Sequence, residues 1–110
     1  MCHVYASQPP SSYECQTRSI RIHGHSTSLR LEAAFWAMLE EMAVREDTDL
    51  TKLVARLHDE VLELNGEIRN FASLLRCCCL VFASHVRERD AEDLGGDRAA
   101  EPDVVGRYYP

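Results

Sequence analysis

The sequence lacks the features that identify membrane proteins and the common classes of enzyme. None of its apolar runs approaches the roughly 20 residues that a helix needs to cross a bilayer, so we expect no membrane partner. It has no glycine-rich phosphate loop, and no nucleophile or carboxylate pair stands at a spacing that defines a catalytic arrangement. We therefore expect no enzymatic activity and no cofactor.

Cysteine is present, but not in a pattern typical of disulfides or zinc. The count is five, an odd number, and residues 1–16 lack the charged start and apolar run of a secretory signal. We therefore expect reduced thiols and a cytoplasmic location. Three cysteines are contiguous at residues 77–79. Neighbours on a helix point about 100° apart and cannot converge on one ion, so these residues are interpreted as small buried side chains.

A second group of metal-ligating residues consists of Cys2, His3, Cys15, His23 and His25. Thiol and imidazole ligands suit zinc or nickel, and His23 and His25 share a face if their segment is a strand. No spacing in the group matches a zinc motif. The two histidines are weak metal candidates, and incidental histidines are the simpler interpretation.

The chain has a net charge of -6, which is unfavourable for a nucleic-acid binder unless the basic residues are concentrated. Residues 1–31 carry three arginines against one glutamate, whereas residues 32–66 carry nine acids against three basic residues. Residues 88–110 carry seven acids against three arginines. Any contact with nucleic acid is therefore expected near the N-terminal end of the chain.

Hydrophobic periodicity predicts a mainly α chain with one clear strand. Residues 25–31 alternate, so that Thr27, Leu29 and Leu31 face one way and the polar residues between them face the other. Apolar residues at three-four spacing then predict helices over about residues 32–45, 50–64 and 67–86. Expected caps are Thr48 or Asp49 for the second helix, and Asn70 for the third unless that helix starts at Glu67.

A single strand would leave its backbone N–H and C=O groups unpaired, which folded proteins avoid. The simplest partner is the same strand of a second copy, paired antiparallel across a two-fold axis. We therefore expect an intertwined homodimer with an intermolecular two-stranded ribbon. Residues 18–23 also alternate before Gly24, and three interpretations stay open for them: a separate strand, a hairpin arm, or an extension of the ribbon.

The segment SLRLEAAFWAMLEEMAVREDTDLTKLV resembles the ribbon-helix-helix superfamily of DNA-binding repressors, which includes Arc and MetJ. The segments RSIRIHGHSTSLRLE, FWAMLEEMA and GEIRNFASLLRCCCL further resemble short bacterial ribbon-helix-helix-domain proteins with an extra C-terminal helix. The expected division is a flexible N-terminal arm (1–17), a ribbon-helix-helix core (18–65), an additional helix for dimer or tetramer packing (66–87) and a disordered acidic tail (88–110). The end of that tail, VVGRYYP, is a candidate docking peptide for a protein partner.

The resemblance assigns roles to particular residues. Outward side chains of the paired strands would meet base edges in the major groove of DNA: Ser26, Ser28 and Arg30. The start of the second helix would hold a phosphate through Asp49, Leu50, Thr51 and Lys52, with Arg18 and Arg21 as further phosphate contacts. Three acids at positions 46, 47 and 49 should weaken that phosphate contact. The expected dimer core is Leu29, Leu31, Phe35, Trp36, Leu39, Leu50, Leu53, Val54 and Leu57.

Three functions stay open at this point. The first is a transcriptional regulator that reads a palindromic DNA site through the ribbon. The second is an antitoxin-like protein whose ribbon binds DNA while its tail occupies a toxin. The third is a protein-interaction or oligomerisation module that has lost strong DNA binding.

Overall fold

The computed structural model describes residues 2–93, except for the side chains of residues 87 and 90–93. The elements, in chain order, are helix α1 (Cys2–Ala6), a 3-10 turn (Pro10–Ser12), strands β1 (Cys15–Ile22) and β2 (His25–Glu32), and helices α2 (Ala33–Arg45), α3 (Leu50–Asn65) and α4 (Phe71–Asp93). The predicted order of strand and helices is therefore present. Within the described range, no helix combines the length and the apolar character needed to cross a bilayer.

The two strands form an antiparallel hairpin within one chain. Their pairing runs from Ile22 opposite His25 to Cys15 opposite Glu32. The two-residue loop between them has φ of 51° at His23 and 81° at Gly24. Positive φ at both loop residues is the type I′ geometry, which matches the twist of paired strands.

The hairpin corrects the prediction that the strand has no partner in its own chain. The two-stranded antiparallel ribbon is present, but both of its strands come from the same chain. Residues 18–22, whose role the sequence left open, belong to a separate strand, β1. The backbone N–H and C=O groups on one edge of β2 are therefore paired by β1, and that edge needs no second copy.

One face of the hairpin forms a core with the three long helices. Ile20, Ile22 and Leu29 are buried, and Leu31 is fully buried against α2. Further buried residues are Trp36, Leu39, Met42, Ala43, Leu53, Val54, Leu75 and Cys79, with Phe35, Leu50 and Leu57 packed at the margin. The residues predicted for a dimer core therefore lie in the core of the single chain or at its margin, and their contact with a second copy stays a prediction.

Local capping fixes the helix boundaries. Asp49 precedes α3 and its Oδ1 accepts a hydrogen bond from the amide of Lys52 at 2.9 Å, while Gly66 ends the helix with φ of 79°. The Oδ1 atom of Asn70 accepts from the amide of Ser73 at 3.1 Å, so the third long helix begins after Asn70 and not at Glu67.

Both ends of the predicted division shift in the structure. β1 begins at Cys15, and the preceding α1 and 3-10 turn bury no residue. α4 continues past Val86 to Asp93, so residues 88–93 of the segment expected to be disordered are helical. The remainder of that tail, with its VVGRYYP end, lies outside the described residues.

Candidate nucleic-acid interface

The outward side of the hairpin is polar and basic. The register places Thr17 opposite Arg30, Ser19 opposite Ser28 and Arg21 opposite Ser26. These six residues share one side of the sheet and are all exposed. We call Thr17, Ser19, Arg21, Ser26, Ser28 and Arg30 the ribbon face.

The two arginines of the ribbon face lie on different strands and near opposite ends of the hairpin. Arg30 lies opposite Thr17, four residues before Arg21 on β1, so the two arginine positions are separated by roughly 13 Å along the strands. Small hydroxyl side chains lie between them. Arg21 also donates a long hydrogen bond of 3.4 Å to the carbonyl of Gly24 in the loop.

The sequence predicted only part of this surface. Ser26, Ser28 and Arg30 do share one exposed side, as the alternation of β2 indicated. Thr17 and Ser19 were missed, because β1 was not assigned as the partner strand. The signal for them is the alternation of residues 17–22 around Ile20 and Ile22.

Arg18, predicted as a phosphate contact, lies on the opposite side of the sheet from the ribbon face. Its guanidinium carbon is 4.8 Å from the ring centroid of Trp36, and its Nη1 is 3.1 Å from Oε1 of Glu40. Cation–π contact and ion pairing both hold this side chain toward α2. Arg18 therefore stabilises the packing of the hairpin on α2.

Two further hydrogen bonds fix the start of β1 on α2. The indole Nε1 of Trp36 donates to the carbonyl of Gln16 at 2.9 Å, and the amide of Ala33 donates to the carbonyl of Glu14 at 2.8 Å. Because Trp36 is fully buried, its N–H needs such a partner. These contacts orient the hairpin relative to the helices.

The opposite end of the hairpin is tied to α3. Nε2 of His23 lies 2.5 Å from Oδ1 of Asp59, and this hydrogen bond lowers the pKa of the Asp59 carboxyl. His23 belongs to the loop and His25 to β2, so the two histidines do not share a strand face as expected. Among the side chains that the structure describes, no three histidine, cysteine or acidic residues are grouped closely enough for a metal site.

The capping carboxylate of Asp49 offsets the positive end of the helix dipole at the start of α3. Oδ1 of Asp49 accepts a hydrogen bond from the amide of Lys52, and Oδ2 of Asp49 is 3.8 Å from the Lys52 ammonium. A helix N-terminus attracts anions through its unpaired N–H groups. Here a carboxylate of the chain already lies at that position, so a phosphate would meet repulsion from Asp49.

The three contiguous cysteines have different environments. Cys77 is exposed, Cys78 is half-buried and Cys79 is buried. Burial, with a smaller effect of Cys78, raises the pKa of the Cys79 thiol to about 12. The predicted burial thus holds fully only for Cys79.

Comparison with known proteins supports the fold. Residues 15–83 match the family model for the ribbon-helix-helix domain, a range that includes β1, β2, α2, α3 and part of α4. The solved structure of an uncharacterized protein from Bordetella pertussis Tohama I is similar to this chain, with 44% sequence identity and a TM-score of 0.75 over 80% of this chain and 70% of that one. A comparison with curated proteins found no match. The chain belongs to the ribbon-helix-helix domain family.

Proposed function

We propose that this protein is a DNA-binding transcriptional regulator that acts as a homodimer through the ribbon face. Domains of its family typically bind DNA, as regulators or antitoxins, and typically form dimers. The observation that carries the proposal is the ribbon face itself, which is exposed and bears two arginines, whereas the reverse side of the same strands contributes the buried residues Ile20, Ile22, Leu29 and Leu31. A two-stranded ribbon fits a major groove about 12 Å wide.

The homodimer in this proposal uses the second edge of β2. β1 occupies one edge, and within the described residues β2 pairs with no other strand. Antiparallel pairing of β2 with β2 of a second copy would make a four-stranded sheet and remove the open edge. The intermolecular pairing expected from the sequence is thereby kept, at the edge that β1 leaves open. A further tetramer through α4 stays a proposal.

This dimer gives the two strands different roles on DNA. The central pair of β2 strands would carry Ser26, Ser28 and Arg30 to the base edges. The outer β1 strands would lie about 14 Å apart, since neighbouring strands are about 4.8 Å apart, and so would reach the phosphates that border the groove. Arg21 is then a phosphate contact. Arg30 would read guanine through O6 and N7, whereas the serines discriminate little.

The experiment is selection of bound duplexes from a random pool, followed by titration of a selected duplex at several salt concentrations. Arg30→Ala should weaken binding of the preferred duplex by about tenfold or more and relax its sequence preference. Arg21→Ala should weaken all duplexes alike and reduce the salt slope by about one. Arg56→Ala is the matched control, because Arg56 is an exposed arginine of α3 that is not part of the ribbon face.

A second candidate function is an antitoxin-like or purely protein-interaction module. The Asp49 carboxylate at the start of α3 favours it, because that position would otherwise bind a phosphate. Absence of any shift at low salt on every duplex would reject DNA binding and leave this alternative. Asp49→Ser keeps a capping side chain and removes the charge, so tighter DNA binding by this variant would support the regulator.

A further inference from the structure

A groove of about 350 Å³ lies between α2, α3 and α4, and none of its lining residues belongs to the ribbon face. Its floor is apolar and is formed by Met42, Leu53, Leu57, Val81 and Phe82. A volume of this size is within the range of small-molecule sites, which are mostly apolar with a few polar groups.

The polar groups around this floor are mainly cationic or hydrogen-bond donors. Arg45 of α2 lines the groove together with His85 and Arg89 of α4. Glu46 is the only acid of the lining within the described residues. The guanidinium carbon of Arg45 is 5.7 Å from the ring centroid of Phe82, and no carboxylate among the described residues pairs with it within 4.0 Å.

His85 provides a second observation that favours a polar ligand group. Its Nε2 is buried and has no hydrogen-bond partner among the described residues. A buried polar atom without a partner costs free energy. An oxygen of a bound carboxylate would supply that partner.

We propose that this groove binds a small amphiphilic carboxylate, with its hydrocarbon body on the apolar floor and its head between Arg45, Arg89 and His85. Arginine recognises carboxylates through paired N–H donors, and such charged hydrogen bonds are stronger than neutral ones. The lining residues of α4 run from Cys78 to Arg89, a length of about 16 Å, which accommodates an extended medium-length acyl chain. This site is independent of the proposed DNA contact, because none of its residues belongs to the ribbon face.

Calorimetric titration of the full chain with decanoate, below its micelle concentration, tests the proposal. Decanol and decyltrimethylammonium are the comparison probes, since they keep the hydrocarbon body and remove or reverse the head charge. We expect saturable decanoate binding at least about tenfold tighter than decanol binding, which corresponds to one charged hydrogen bond, and no binding of the ammonium probe.

Variants locate the site. Arg45→Gln and Arg89→Gln should each weaken decanoate binding by about tenfold, and Val81→Phe should weaken it by filling the floor. Arg56→Gln, which changes an exposed arginine outside the groove, should leave the affinity unchanged. Thermal unfolding of each variant without ligand separates loss of the site from loss of the fold.

Three results would overturn the proposal. The first is equal binding of decanoate and decanol, which would mean nonspecific apolar association. The second is unchanged decanoate affinity in folded Arg45→Gln and Arg89→Gln. The third is dissociation of an oligomer by decanoate in light scattering, because the groove would then belong to a contact with a second copy.

Discussion

Replacing Leu31 by alanine tests whether β2 packs into the core of its own chain. Leu31 is 0% exposed, beneath the ribbon face, whereas Leu64 near the end of α3 is 82% exposed. Truncation to alanine removes about three buried carbon groups at about 0.8 kcal/mol each and leaves a cavity, so Leu31→Ala should lower the free energy of unfolding by about 3 kcal/mol. The same truncation at Leu64 should change it by less than about 0.5 kcal/mol.

Urea denaturation followed by far-ultraviolet circular dichroism measures both variants. With a slope of about 2 kcal/mol/M, Leu31→Ala should lower the midpoint by about 1.5 M, and the slope itself should not change. The corresponding melting temperature should fall by roughly 12–24 °C. Equal effects at Leu31 and Leu64, or a loss below about 1 kcal/mol at Leu31, would refute the packing described here.

Two further predictions concern acid stability and thiol reactivity. The Arg76 guanidinium, 2.9 Å from Glu32, lowers the pKa of the Glu32 carboxyl below its ordinary value of 4.5, so the stabilisation by the ionised carboxylate is present at neutral pH and is lost as pH falls through the lowered pKa. Glu32→Gln should therefore flatten the dependence of the free energy of unfolding on pH below about 4.5, whereas Glu63→Gln should not. Parallel curves for the two variants would contradict this. Iodoacetamide at neutral pH should label exposed Cys77 well before buried Cys79, whose pKa is raised to about 12. Peptide mass spectrometry measures the labelling, and the difference between the two cysteines should vanish in denaturant. Equal labelling of both cysteines in the native protein would contradict the packing of α4.

The helices were predictable because their signals are local. Asp49 and Asn70 cap helices through their own side chains, and Gly66 supplies the left-handed residue at a helix end. The apolar stripes fixed which side of each helix is buried, as Leu39 and Val54 show. Such features need no knowledge of distant parts of the chain.

The sequence leaves the hairpin as one of three interpretations of residues 18–23, because its evidence is spread over two short segments. His23-Gly24 is a weaker turn signal than Asn-Gly or Asp-Gly, and only Ile20 and Ile22 marked the alternation of β1. Once β1 is known to be a strand, Arg18 falls on the same side as those two isoleucines, so its inward position follows from the sequence as well. The assumption of an intermolecular partner hid that result.

The groove between α2, α3 and α4 was beyond local inference. Arg45 and Arg89 are distant in sequence and line one groove only because α4 packs alongside α2. Both residues lie in segments whose net charge is negative, so the charge of each segment does not indicate that the two arginines line the same groove. The same holds for Glu32 at the end of β2 and Arg76 of α4, which form a partly exposed ion pair.

The most direct test of DNA binding by the ribbon face is an amide chemical-shift titration of the isotopically labelled protein with a duplex selected from a random pool. The proposed interface predicts that the largest shifts map to both strands of the hairpin, at Thr17, Ser19, Arg21, Ser26, Ser28 and Arg30, with little change along α4. Shifts concentrated on α4 or on the groove, with the hairpin unaffected at saturating DNA, would contradict it.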